Sequence, residues 1–145
     1  MKKKINKSSL NLKQKSNVTK IKTDLKETNY DSRRGKLAFE FASDNKCCLS
    51  EWHNRELKLL IDSFKKIERL TWNEVFNDTG LNWERNKNIA IQLPTNIPKD
   101  VKLYSFRVNG KMRVYGYRAQ EFFYIIWFDR NHIICPKNKP KNYSA

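Results

Sequence analysis

Three side chains in one short segment, Arg113, Tyr115 and Tyr117, have the types and the spacing that recognise single-stranded nucleic acid. Because side chains alternate along a β-strand, all three are predicted to lie on one face. Aromatic rings stack on bases and a guanidinium group binds phosphate, which is the chemistry of single-stranded RNA recognition. The alternative interpretation is an ordinary solvent-facing sheet that carries surface tyrosines.

His132 is a second candidate for chemistry, because it follows a buried apolar run and stands near Asp129 and Arg130. An imidazole titrates near neutral pH and can exchange protons with a substrate. A purely structural role at the end of a strand fits the same position. The other histidine, His53, is predicted to be an exposed residue on the first turns of a helix.

No combination of residues predicts a metal site. Cys47 and Cys48 are adjacent, so they lack the spacing that lets two thiolates reach one ion, and Cys135 stands alone in the sequence. Adding His53 to the adjacent cysteines makes only a weak combination. We therefore expect no metal and no cofactor. Three cysteines also make a poor disulfide framework, which is typical of a reducing cytoplasm.

The elements that position these residues are three strands predicted between Leu103 and Pro136. Asn109-Gly110 is a strong hairpin signal, and a two-residue loop there places Phe106 opposite Arg113. The predicted open face then consists of Tyr104, Phe106, Lys111, Arg113, Tyr115 and Tyr117. Arg107 falls on the helix-covered face in this register, so either its charge reaches the edge or the loop is longer or bulged and the alternation shifts. The apolar run Phe122 to Phe128 predicts a strand buried on both faces.

The rest of the chain predicts one strand, two helices and a connector. Alternation predicts the strand at Leu37–Ser43, and apolar stripes and capping residues predict the helices at Ser50–Arg69 and Thr71–Gly80. Thr71 and Glu74 are predicted to form a capping box at the start of the second helix. The connector is Leu81–Lys102, with Trp83 and Ile89–Leu93 packed on the core. The order is β-α-α-β-β-β, without a crossover between the last strands. It predicts an α+β fold with a small, mostly antiparallel sheet, two helices on one face and the other face open.

Charge is the main compositional signal. The 145 residues carry a net charge of +15, which favours a polyanionic partner. Residues 1–36 hold twelve basic and three acidic residues and are predicted to be a disordered basic arm, either a solvated tail or an electrostatic arm for RNA or DNA. Residues 37–136 are the predicted domain, and residues 137–145 a flexible tail. Because no apolar run reaches the ~20 residues of a membrane span and no secretory signal is evident, we expect a cytoplasmic protein without a membrane partner.

Two segments, SFRVNGKMRVYGYR and YIIWFDRNH, together with the element order, resemble the RelE/ParE superfamily of small bacterial toxins. The resemblance covers about Leu37 to Pro136 and implies a RelE-like fold and a partner antitoxin protein. In the RelE-like branch it implies metal-independent cleavage of mRNA on the ribosome, with the RNA 2′-OH as nucleophile. It implies that Arg113 contacts the scissile phosphate, that His132 is the general acid or base, and that Arg130 assists. It implies that Tyr115 and Tyr117 stack on or orient bases, whereas Arg107 matches the family only loosely. With Lys111 and Phe106 of the predicted open face, these are the predicted RNA-binding residues.

Two other functions fit the same pattern. The ParE-like branch shares the fold but inhibits DNA gyrase, and a non-catalytic RNA- or ribosome-binding module would need no acid or base. The long basic arm and the long connector depart from the compact toxins, and Asp129 is the nearest candidate for a carboxylate base. The histidine and the Arg-Tyr strand favour the RNase branch.

Overall fold

The computed structural model describes residues 29–136, so most of the predicted basic arm and the whole predicted tail lie outside the described residues. The helices and strands, in chain order, are β1 (Lys36–Ala38), α1 (Asn54–Arg69), α2 (Trp72–Asn77), β2 (Glu84–Asn86), β3 (Leu103–Asn109), β4 (Met112–Ala119) and β5 (Phe122–Asp129). Single 3₁₀ turns lie at Tyr30–Ser32 and Leu49–Glu51. The predicted α+β class is confirmed.

The five strands form one sheet in the order β1-β5-β4-β3-β2. Three pairings are antiparallel, and β1 runs parallel to β5, so the sheet is mixed. The connector contributes β2, an edge strand that the sequence analysis did not predict. β5 is buried on both faces as predicted, because helices cover one side and loops cover the other.

The predicted first strand is too long. Pairing with β5 ends at Ala38, and the chain turns where the Ala42 N–H donates to the Phe39 carbonyl at 3.0 Å. Phe39 is therefore half exposed rather than part of the core. The segment then returns to the same edge of the sheet, where the Ser43 N–H donates to the Ile126 carbonyl at 2.7 Å. The domain also begins before Leu37, because the Gly35 N–H donates to the Leu70 carbonyl.

The two helices begin at capped positions. α1 starts after His53 rather than at Ser50, and the His53 N–H donates to the Glu56 carboxylate at 2.8 Å. The predicted capping box of Thr71 and Glu74 at the start of α2 is confirmed. α2 ends three residues before Gly80, because the carboxylate of Asp78 accepts the Leu81 N–H and closes the turn. Among residues 29–136, no helix combines the length and the apolar composition needed to cross a bilayer.

Both faces of the sheet are covered, so the prediction of one open face is wrong. The helices pack on the face that holds Phe106, Val114, Phe123 and Ile125. The connector and the loops beside β5 pack on the opposite face, where the buried residues are Cys47, Ile97, Leu103, Tyr115, Ile126, Trp127 and Ile134. Backbone hydrogen bonds hold this cover in place, including the Ala90 N–H to the Ile134 carbonyl at 2.7 Å. The prediction that Trp83 and the Ile89–Leu93 run pack on the core is confirmed. Because these apolar residues follow no helix or strand period, the sequence did not predict which face of the sheet they cover.

Candidate functional site

The β3–β4 hairpin has a register one residue away from the predicted one. Asn109 pairs with Met112, so the two-residue loop is Gly110-Lys111, and a bulge lies between Arg107 and Asn109. Phe106 consequently pairs with Val114, and Arg107 pairs with Arg113. The bulged alternative for Arg107 is therefore the observed one. Gly110 occupies the left-handed region at φ 52°, which a glycine adopts without strain.

The predicted aromatic face does not exist as an exposed surface. Phe106 is fully buried under the helices, and Tyr115 is 1% exposed beneath the connector. Neither ring can stack on a base in this structure. Tyr117 is half-buried and stacks on Tyr124 with ring centroids 5.2 Å apart, while Lys111 is exposed at the hairpin loop. Burial raises the pKa of Tyr115 far above its usual range and raises the pKa of Tyr117 as well.

Three charged residues stand in a row across the sheet. Arg107 on β3 is opposite Arg113 on β4, and Arg113 is opposite Asp129 on β5. Arg113 is 7% exposed, and its Nη1 donates to the carbonyls of Gly110 at 2.7 Å and Met112 at 3.3 Å. Burial, and then the neighbouring Arg107 charge, lower the pKa of Arg113. In the described part of the chain neither arginine forms a salt bridge.

The two arginines differ in how they are held. Arg107 donates from its side chain to the carbonyls of Thr79 at 3.2 Å and Gly80 at 3.3 Å, just after α2, and its backbone N–H donates to Leu81. These carbonyls follow a helix C-terminus, where a positive charge is favourable. Carbonyls outside the sheet therefore hold the Arg107 side chain, whereas carbonyls of its own hairpin hold the Arg113 side chain. Both guanidinium groups retain N–H donors for an anion.

Asp129 is a structural carboxylate rather than a free base. It is 1% exposed, and its two oxygens accept the backbone N–H groups of Ile133 at 3.0 Å and Ile134 at 2.9 Å. These bonds shape the loop after β5, in which His132 adopts φ 59°, a region that few residues other than glycine occupy. The imidazole is half-buried, and its buried Nδ1 has no hydrogen-bond partner within residues 29–136. One carboxylate therefore stands beside Arg113 and also positions the His132 loop.

Arg130 has a carboxylate partner that the sequence analysis missed. Its Nε donates to Glu56 Oε1 at 2.7 Å, which joins the His132 loop to the first turn of α1. The hydrogen bond from Arg130 lowers the pKa of Glu56, and the same bond raises the pKa of Arg130. The two residues are 74 positions apart, and the sequence signal for Glu56 was only its capping position after His53.

The cysteines do not assemble a metal site in the described residues. No group of three or more His, Cys, Asp or Glu side chains converges between residues 29 and 136. Cys47 is buried, and burial raises the pKa of its thiol to about 11, so the neutral thiol predominates at pH 7.

Comparison with known proteins gives a match to a family model over part of the chain. The model of a family described as Uncharacterised protein UU032 matches residues 81–145. The matched stretch contains the connector and the four strands β2 to β5, and hence the arginine pair, Asp129 and His132. No curated protein and no solved structure matches the chain. The resemblance to the RelE/ParE superfamily therefore remains a prediction.

Proposed function

We propose that this protein binds RNA, and that Arg107 and Arg113 contact a backbone phosphate. The observation that carries the proposal is their direct opposition across β3 and β4. Like charges in cross-strand pairs destabilise a sheet, and a buried charge without a partner is costly. A bound phosphate would remove both penalties, because guanidinium groups bind phosphate oxygens through parallel N–H donors.

The charge of the whole chain supports a polyanion rather than a single small anion. Lysine and arginine number 30 against 15 acidic residues, and 18 of the basic residues face 13 acidic ones within residues 29–136. Exposed Lys111 extends the cationic surface at the hairpin loop. Phosphate contacts of this kind supply most of the affinity in nucleic-acid binding, and they do so without base stacking. The choice of RNA over DNA follows the resemblance of the hairpin to the RelE-like toxins.

Metal-independent RNA cleavage is the second candidate, and the His132 loop is the observation that favours it. Asp129 positions this loop and is opposite Arg113 on the neighbouring strand, and the half-buried imidazole of His132 lies on the loop. In such a reaction the imidazole takes the proton of a 2′-OH, and the 2′-oxygen attacks phosphorus. The 5′-oxygen leaves and takes up a proton, and a 2′,3′-cyclic phosphate remains. Arg113 would stabilise the charge that develops on the phosphate oxygens.

Binding is tested with a labelled single-stranded RNA and fluorescence anisotropy at several salt concentrations. Arg113→Gln and Arg107→Gln are compared with Arg69→Gln, which removes an equal charge from the exposed end of α1. We expect each of the first two variants to weaken binding about 5- to 30-fold and to reduce the salt slope by about 0.7 per lost contact. Equal affinities for Arg113→Gln and Arg69→Gln would contradict the proposal.

Cleavage is tested with His132→Asn, because asparagine tolerates the positive φ of this position. The wild-type protein and the variant are incubated with free mRNA and with mRNA on ribosomes, and new ends are mapped by primer extension. Nuclease activity predicts new mRNA ends with the wild type alone and unchanged RNA affinity in the variant. If the wild type produces no new ends, the binding function stands without catalysis. Growth arrest with DNA damage and intact mRNA would instead indicate gyrase as the target.

A further inference from the structure

A second cationic feature lies at the other end of β3 from the arginine pair. The connector and the β2 edge enclose a cavity of about 720 Å³. Four of its lining residues are basic, and none is acidic: the cations are Arg85, Lys87, Lys99 and Lys102. All four are exposed, so their charged groups are free to rearrange around a ligand. The cavity is therefore an anion-attracting site with the volume of a small-molecule pocket.

The remaining lining gives the cavity an apolar part and neutral polar groups. The aliphatic residues are Ile89, Leu93, Val101 and Leu103, and the neutral polar residues are Asn86, Gln92 and Thr95. A phosphate or sulfate ion would use only the cations and would leave the aliphatic surface in water. A ligand that fills the site needs both an anionic group and a body of apolar faces with polar edges.

We infer that this cavity binds a nucleoside phosphate. The phosphate contacts the basic side chains, the base lies against the aliphatic residues, and Gln92 and Thr95 are placed to hydrogen-bond the polar edge of the base or the sugar. The cavity volume lies within the range of roughly 300 to 1,000 Å³ that is typical of small-molecule pockets. The nucleoside phosphate is either a free nucleotide or one nucleotide of a bound RNA, and both sources present the same chemical groups.

The cavity is separate from the arginine pair. It reaches the sheet at Leu103, which pairs with Asn86, whereas Arg107 lies four residues further along β3. That separation is about 13 Å at the usual rise of a strand. Nucleotide binding in the cavity can thus be tested whether or not Arg107 and Arg113 bind RNA.

The experiment is isothermal titration calorimetry of the full chain with the common ribonucleoside mono-, di- and triphosphates. Inorganic tripolyphosphate and free nucleosides serve as partial ligands. We expect at least one nucleotide to bind with one-to-one stoichiometry and at least tenfold more tightly than either partial ligand. Tripolyphosphate binding as tightly as every nucleotide would overturn the inference, because the cavity would then recognise charge alone.

The site is assigned with two double variants of equal charge. Lys99→Gln with Lys102→Gln removes two cavity cations, and Lys58→Gln with Lys65→Gln removes two exposed cations from α1. We expect the first pair to weaken nucleotide binding at least tenfold and the second to change it less than twofold. Equal weakening by both pairs would overturn the assignment. Nucleotide-dependent shifts of the Gln92 and Thr95 amide resonances give an independent measurement of the same site.

A competition experiment distinguishes the two sources of the ligand. A short single-stranded RNA of the preferred base is titrated against the bound nucleotide in the wild type and in the Lys99→Gln, Lys102→Gln protein. Displacement that depends on these two lysines identifies a nucleotide of RNA as a ligand. A nucleotide that is not displaced identifies the free form, and both results support the inferred chemistry.

Discussion

Arg107 on β3 and Arg113 on β4 are directly opposite each other, and the bulge between Arg107 and Asn109 sets this register. Without the bulge, the Asn109–Met112 pairing would place Val108 opposite Arg113, and the two charges would lie on opposite faces of the hairpin. The fold instead places the two arginines opposite each other on neighbouring strands, with Asp129 opposite Arg113 on β5. The oxygens of Asp129 are already bonded to a backbone loop. In the proposed function, a bound phosphate supplies the counter-charge for this pair.

Anions are expected to stabilise the protein through Arg113. Phosphate should raise the melting temperature of the wild type more than chloride does at equal ionic strength, because binding to the folded state alone shifts the unfolding equilibrium. Arg113→Met should lose the specific part of this response, and in chloride it should be about as stable as the wild type, since an apolar residue of similar length replaces a poorly paired buried charge. Scanning calorimetry measures the melting temperature of each protein in phosphate and in chloride. Arg69→Met is the control, and an equal phosphate response in all three proteins would contradict the expectation.

Asp129→Asn is expected to destabilise the fold by about 2 to 3 kcal/mol. The amide has one acceptor oxygen where the carboxylate has two, so it cannot accept both the Ile133 and the Ile134 N–H groups. The buried Arg113 also loses one of the negative charges that act on its guanidinium group. Urea denaturation followed by circular dichroism measures the free energy of unfolding. Asp62→Asn, at an exposed position on α1, should change it by less than about 0.5 kcal/mol, and similar values for the two variants would refute the structural role of Asp129.

The Glu56–Arg130 pair predicts a pH dependence of stability. Because Arg130 lowers the pKa of Glu56 in the folded state, the charged carboxylate stabilises the fold above the pKa of the unfolded chain. This contribution is lost as the pH falls through the lowered folded-state pKa, below the ordinary value of 4.5. Glu56→Gln keeps an oxygen that can accept the His53 N–H but has no charge to titrate. The difference in denaturation midpoint between wild type and variant should be largest near neutral pH and should vanish in acid. A difference that persists unchanged into acid would show that the charge is not responsible.

Gly116 is required by a close approach of two strands. A Cβ atom at this position would be 2.1 Å from the Tyr124 carbonyl oxygen, at the irregularity between β4 and β5. Gly116→Ala should therefore cost about 3 kcal/mol or more, because backbone must move. Gly110→Ala has open space but a positive φ, so it should cost only about 1 kcal/mol. Thermal unfolding measures the loss of stability in each variant. A larger loss for Gly110→Ala than for Gly116→Ala would contradict the close approach of the strands at Gly116.

Local patterns in the sequence were enough to predict several elements. The alternation of β3 and β4, the apolar run of β5 and the capping box at Thr71 each arise from interactions within a few residues, and all three appear in the structure. The end of α1 at Arg69 was also predicted correctly, although its start was not. Ser50 has the usual type of an N-cap, but it lies in a 3₁₀ turn, and His53 takes the cap position.

The candidate site was predicted less completely than the fold. Arg113 and His132 do lie on neighbouring elements at the end of the sheet, as the order of strands implies. Arg107, however, is opposite Arg113 only because of a bulge, and no turn residue in the sequence predicts that bulge. Arg130 is held by Glu56 from another element, and the cavity cations come from a connector without periodicity.

The sequence by itself determined the α+β class, the hairpin and the basic character of this protein, because composition, alternation and turn residues act over short distances. Only the tertiary structure decided which residues are accessible. The sequence pattern predicts Tyr115 and Phe106 on an exposed aromatic face. Because burial of apolar area stabilises the fold, the connector packs on one side of the sheet and the helices pack on the other, so both rings are buried. That choice depends on residues far apart in the chain, so the local sequence pattern could not predict that these two rings are buried.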